Sequence, residues 1–446
     1  MIPLAAARRT VLQGLAPLPP RRLPVPAASG CVLAEAVVAG RAVPSFANSA
    51  MDGYAVRAAD TRCAPCRLRV VGTVLAGDAP EVVVGPGEAA RIMTGAVLPD
   101  GADAVCMVER TTAGPDATVV VEEMVTVGQH VRRPGEDVAV GQRVFGPGAA
   151  LSPAHIGVLS ALGVAQVTVH PRPSVAVLST GNELVDGPGV LAPGQIHDSN
   201  RPALLAALAA DGFLPVDLGV LADDEELVEA AFRAAASEHD AVVTSGGVSV
   251  GDRDVVRLVL QRLGDDAVRW MQVAIKPAKP LAFGRLGRRR TPVFGLPGNP
   301  VSALVSYELF VRPALRALAG HRRLDRAVLQ AVAAEAVPRQ PDGKVHLVRV
   351  TALATTAGTI EVTPVPGQGS HQLRAMAEAN ALAVVPDGTG VTAGANLSVL
   401  LLDPGALPAT GRQPLGGGPV DALEVPGLDV DDLDGPSTGG PVAVPE

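Results

Sequence analysis

The chain holds 37 Lys and Arg residues, yet lysine occurs only at Lys276, Lys279 and Lys344, leaving 34 arginines. Two of the three lysines fall within Lys276-Pro277-Ala278-Lys279-Pro280. The prolines forbid a regular helix, so both side chains project from an extended, stiffened loop. Two ammonium groups this close repel unless an anion such as phosphate lies between them. A compact ammonium differs from a planar guanidinium in reach and hydration, so the retained lysines mark a candidate anion site. The plainer reading is a solvated basic turn.

A second candidate is Thr244-Ser245-Gly246-Gly247-Val248-Ser249-Val250-Gly251-Asp252. Glycines let a backbone approach an oxyanion closely, and N–H groups with the hydroxyls of Ser245 and Ser249 can bind it. A tight strand-to-helix turn explains the same glycines equally well. Carboxylates fall on the same predicted edge: Glu183, Asp198, Asp223, Asp224, Asp252 and Asp254. Beside phosphates such groups suit Mg²⁺, which takes oxygen ligands and keeps several waters. Glu183 and Asp254 are the preferred metal ligands, while Asp223 serves equally as a helix cap. A third cluster comprises Asn48–Ala55 with Asp52, Arg91–Ala96 with Thr94, and Arg132–Asp137 with Asp137. By spacing alone these three read as turns.

The elements that position these residues follow from hydropathy patterning. Val175–Leu178, Val216–Leu221, Ala241–Thr244, Leu281–Phe283 and Val293–Leu296 read as strands. Between and after them, Ala203–Ala210, a helix opened by Asp223 or Asp224 and running through Ala236, Asp254–Leu263 and Val301–Ala319 read as helices. The alternation predicts a doubly wound, mostly parallel sheet, whose ligands bind beyond the carboxyl ends of the strands. From about Val43 to Val138 the chain reads as β, in runs such as Leu68–Val74, Val82–Val84, Ala104–Val108 and Thr118–Val121. A helix is expected at Ser152–Leu162, capped by Ser152 with Pro153 first. Residues Leu329–Leu402 are β-rich, with Lys344 at a turn. Beyond Asp403 the composition predicts a disordered tail.

Bulk properties narrow the function classes. The net charge of −8, without a basic stripe, disfavours nucleic acid. No apolar run reaches the ~18 residues of a membrane span, and no signal peptide is read after Arg8 and Arg9, so a cytoplasmic protein is expected. Cys63-x-x-Cys66 lacks a second ligand pair at zinc spacing.

Taken together, NSAMDGYAV (48–56), RIMTGA (91–96), RRPGEDV (132–138), VLSTGNEL (177–184), DSNR (198–201), SGGVSVGDRD (245–254), IKPAKPLAFG (275–284) and GLPGNPVSA (295–303) make the chain similar to the molybdopterin molybdenumtransferase family, the bacterial MoeA type that resembles the gephyrin E domain. The resemblance covers about residues 1–403. It implies an α/β multidomain chain: a linker domain from 1–42 and 141–170, an inserted β domain at 43–140, a molybdopterin-binding α/β domain at 171–320, and a C-terminal β-barrel at 326–403, before the tail at 404–446. It implies a homodimer with the active site between the α/β domain of one subunit and the inserted domain of the other. It also implies insertion of molybdate into adenylylated molybdopterin with release of AMP, assisted by Mg²⁺. Carried over by motif, the catalytic positions are Asp52, Thr94, Asp137, Glu183, Asp254, Lys276 and Lys279. Substrate-binding positions are Asp223 or Asp224, Ser245, Gly246, Gly247 and Ser249, with Pro297, Gly298 and Pro300. Asn182 stands where many members carry Asp, and Ala278 where Gly is usual. Two alternatives remain: adenylylation of molybdopterin with ATP, and a binding scaffold of the same fold.

Overall fold

The computed structural model describes residues 1–79, 81–246, 255–263 and 268–402 of the 446-residue chain. Gly247, Ser249 and Asp254, and the tail at 404–446, lie outside the described residues.

The central sheet has the order Leu214–Leu221, Ser174–Thr180, Ala241–Ser245, Thr291–Leu296, Pro280–Leu286, Arg269–Gln272. Its first four strands are parallel, and Pro280–Leu286 alone runs against the rest, pairing antiparallel with both of its neighbours. Side chains alternate across the sheet. Val175 and Val177 pack with Leu204, Leu208 and the 300–318 helical segment, while Ala176 and Leu178 pack with Val228, Phe232, Val256 and Leu260. Both faces are thereby covered, which is why these strands read as near-continuous apolar runs. The sheet is doubly wound, as the sequence implied.

The 300–318 helical segment runs as Pro300–Ser306, a π turn at Tyr307–Val311, and Arg312–Leu318. Pro313 cannot donate to the Leu309 carbonyl. Arg8 donates to that carbonyl instead, at 2.5 Å. The N-terminal helix Leu4–Leu12 thus lies on the α/β domain, with Ala7 and Val11 in its core and Ile2 bridged to Val273.

The segment between Val43 and Val138 builds a six-stranded sheet in the order Ala104–Met107, Gly53–Val56, Glu88–Ile92, Cys66–Val74, Thr118–Val121, Thr111–Ala113. Val82–Val84 is not a strand. Val84 is buried and donates to the Asp100 carbonyl, but no ladder forms between Pro80 and Pro86 in the sequence. The flanks of this segment pair Arg21–Pro24 and Val32–Leu33 with Gln166–His170. The helix Pro153–Ala161 carries the expected Ser152 cap, closed by His155 in a capping box.

The C-terminal strands Val345–Ala354, Ile360–Pro364, Val328–Ala333, Asn396–Leu401 and Ala381–Val385 close into a five-stranded barrel. A short strand from the α/β domain joins its rim: Ile275 pairs with Val345 and Lys276 with His346.

Candidate active site

The carboxyl ends of the parallel strands bring Ser179–Glu183, Ser245–Gly246 and Leu296–Pro300 to one edge. Asn200, the first residue of the helix Asn200–Ala210, ties two of these loops together. Its Nδ2 donates to Ser245 Oγ at 2.6 Å and to the Gly298 carbonyl at 2.7 Å. Sequence reasoning quoted Asn200 within a motif but assigned it no role. Gly246 has φ +93°, and a Cβ there would stand 2.9 Å from the Thr180 carbonyl oxygen, so the close turn requires glycine. Pro297 is buried beneath the edge, and Pro300 occupies the first helical turn, where its missing N–H costs nothing. Ser179 Oγ, Thr244 Oγ1 and Asn200 Oδ1 are buried without a partner among the described residues.

The carboxylates divide by role. Asp198 is structural: it accepts from the backbone N–H groups of Asn200 and Arg201 and pairs with the buried Arg201 guanidinium at 3.1 Å. Arg201 also engages Asp186 and Asp217, anchoring the start of the helix. Asp224 caps the helix Glu225–Glu238 by accepting from Leu227 N–H at 2.9 Å. Asp223 instead faces the strand-end loop. It accepts from Asn182 N–H at 3.3 Å, while Asn182 Oδ1 accepts from Asp223 N–H at 3.1 Å. Asn182 therefore fills a hydrogen-bonding position that needs no charge. Glu183 is exposed, and no hydrogen bond or ion pair among the described residues engages its carboxylate. It is a free hard-oxygen donor of the type Mg²⁺ takes. Among the described residues no group of three or more His, Cys, Asp or Glu is gathered for a metal ion.

Lys276 and Lys279 are both exposed, and no ion pair among the described residues neutralises either ammonium. The loop between them is fixed by Val273 N–H donating to the Lys279 carbonyl at 2.7 Å. Ala278 has φ +75° in the left-handed region, and its methyl lies in the α/β core, away from solvent.

A cation that the sequence did not single out is Arg349, fully buried on the barrel strand Val345–Ala354. Its Nη2 donates to the Gly367 and Gly369 carbonyls, while Nε and Nη1 have no partner among the described residues. The loop it holds continues to Ser370, whose carbonyl accepts from Val301 N–H at the Pro300 helix start. No periodicity or motif separates this arginine from the other 33.

In the inserted sheet, Asp52 and Thr94 come together. Asp52 Oδ1 accepts from Thr94 N–H at 2.6 Å and Thr94 Oγ1 at 2.7 Å. These bonds hold the carboxyl below the usual carboxylate range. Asp137 is exposed on the adjoining loop, where its N–H donates to the Val43 carbonyl. Among the described residues, the hydrogen bonds and ion pairs made by 43–140 stay within that segment or reach Gln142. None joins Asp52, Thr94 or Asp137 to the strand-end loops.

Residues 2–163 match the MoeA N-terminal region (domain I and II), residues 176–317 a probable molybdopterin binding domain, and residues 330–402 the MoeA C-terminal region (domain IV). The chain is 39% identical over 402 residues to a molybdopterin molybdenumtransferase of Haemophilus influenzae, covering 90% of this chain and 98% of that relative. It is 41% identical over 405 residues to molybdopterin molybdenumtransferase 2 of Mycobacterium tuberculosis, covering 88% and 97%. The crystal structure of a molybdopterin biosynthesis moeA protein from Pyrococcus horikoshii OT3 superposes with a TM-score of 0.73 at 28% identity, covering 90% of this chain and 100% of that one. Among the described residues no helix is long and apolar enough to cross a membrane.

Proposed function

Because the chain belongs to the MoeA-type molybdopterin molybdenumtransferase family, a family of transferases that insert molybdenum in molybdenum-cofactor biosynthesis, we propose that it places molybdate into adenylylated molybdopterin and releases AMP. The observation that carries this reading is the pair Lys276 and Lys279, whose ammonium groups lack a protein counter-charge among the described residues beside an edge of strand-end loops. Two such cations hold molybdate, or the charge that develops as a phosphoanhydride breaks. Ser245 and Gly246, with Gly247 and Ser249 that follow in the sequence, are the residues assigned to the phosphates. Asn200 keeps Ser245 and Gly298 at fixed separation.

Glu183 and Asp254 would hold Mg²⁺, which supplies Lewis-acid polarisation of the phosphoanhydride when bound. The uncommitted carboxylate of Glu183 supports this role; Asp223 orients the loop that carries it. Protein nucleophiles have no part in the scheme: binding, orientation and charge stabilisation suffice.

Asp52, Thr94 and Asp137 act on the partner's substrate in a homodimer. That no bond among the described residues joins them to the strand-end loops of their own chain supports that assignment. The test is molybdate-dependent AMP release from adenylylated molybdopterin by purified protein.

A further inference from the structure

Lys344 lies at a barrel turn, apart from every motif of the site, yet its surroundings lead back to Lys276. The strand Ile275–Lys276 is hydrogen-bonded to the barrel, with Lys276 in register with His346. Lys276, Arg339, Asp342 and His346 line one cavity of about 520 Å³. Asp342 is the carboxylate of that lining, and both of its oxygens are engaged. Oδ2 accepts from Lys344 Nζ at 2.9 Å and faces His346 Nε2 at 3.2 Å. Oδ1 accepts from Arg339 Nη2 at 2.7 Å and from Lys344 N–H at 3.2 Å. Arg339 is itself immobilised: its side chain is 4% exposed and also binds Asp387 and the carbonyls of Lys344, Val385 and Pro386.

We propose that Lys344 and Arg339 are positioning residues for the anion site: by saturating the Asp342 carboxylate they keep it from neutralising Lys276. An unsaturated carboxylate in the same cavity competes with an incoming oxyanion for the Lys276 ammonium. The hydrogen bond from the Lys344 ammonium, and then His346, hold the Asp342 carboxyl well below the usual carboxylate range, consistent with a fully engaged anion. The inference rests on Lys276 as a molybdate-binding residue, as argued above.

The test titrates molybdate against the full-length enzyme and its Lys344→Met, Asp342→Asn/Lys344→Met and Lys276→Met variants. Lys344→Met is expected to raise KM for molybdate about three- to ten-fold at nearly constant kcat, the pattern of lost ground-state binding. The double variant is expected to return KM to within about two-fold of the parent, because no free carboxylate remains. A merely structural turn predicts the opposite, since Asp342→Asn removes a second set of turn contacts. An unchanged KM in Lys344→Met, or no recovery in the double variant, overturns the proposal. Should Lys344→Met fail to fold, Asp342→Asn alone decides: a raised KM overturns the proposal and an unraised KM supports it. An unaltered KM in Lys276→Met defeats the underlying anion assignment, and with it the proposal. A damaged Lys276→Met beside a normal Lys344→Met defeats only the inference drawn here.

Discussion

Replacing Asn200 with Ala removes two short hydrogen bonds, to Ser245 Oγ at 2.6 Å and to the Gly298 carbonyl at 2.7 Å. A neutral hydrogen bond nets about 0.5–1.5 kcal/mol, so the pair contributes about 1–3 kcal/mol. Ser245 is 2% exposed, and water does not readily replace the lost donor. Alanine is the better helix former, which offsets roughly half a kcal/mol at this first helical position. The expected net loss is about 0.5–2.5 kcal/mol in urea unfolding of the α/β domain. The loss in turnover should be larger than this suggests. Asn200 sets the spacing between the Ser245–Gly246 turn, proposed to cradle the phosphates, and the Pro297–Pro300 loop, and a misplacement of about 1 Å can cost about 10² in rate. Stability is read by denaturant titration and turnover by product formation at saturating molybdate. Parental kcat, with a stability loss below about 0.5 kcal/mol, would refute the claim that this side chain organises the site.

Lys279→Arg keeps the charge but enlarges and flattens the cation; it should retain the fold and lose about 10²–10³ in molybdate-dependent rate, with Lys276→Arg similar, and full activity in both at low molybdate would make the pair generic surface charge. Ala278→Gly relieves the left-handed backbone at φ +75° but forfeits a buried methyl and adds unfolded-state freedom. Stability should therefore change by less than about 1 kcal/mol, and KM for molybdate should not move, because the methyl faces the core. A several-fold fall in KM on titration would show that the methyl obstructs the anion after all. Mixing Asp52→Ala subunits with Glu183→Ala subunits should restore part of the activity through one intact composite site per mixed dimer; no recovery after confirmed subunit exchange would place the site within one chain.

The α/β sheet was legible because strands buried on both faces read as unbroken runs such as Val175–Leu178, within the strand Ser174–Thr180. The helix Asn200–Ala210 starts three residues before its apolar pattern, because Asp198 accepts from the first two N–H groups of the turn. Val82–Val84 shows the opposite failure: local apolar character without a neighbour to form a ladder. The choice between Asp223 and Asp224 was open in the sequence, since either spacing can cap a helix. The fold resolves it through the Asn182 loop, more than forty residues away in the chain. Arg349 and the Asp342 cluster stayed hidden for the same reason: both depend on barrel closure and on the pairing of Lys276 with His346, and no local pattern encodes either.

The most direct test supplies purified protein with adenylylated molybdopterin, Mg²⁺ and molybdate, and follows AMP and the molybdenum-loaded cofactor together. Molybdate-dependent release of AMP, in step with metal insertion and without ATP consumption, is the predicted result. Consumption of ATP with unadenylylated molybdopterin, or AMP release that ignores molybdate, would contradict it.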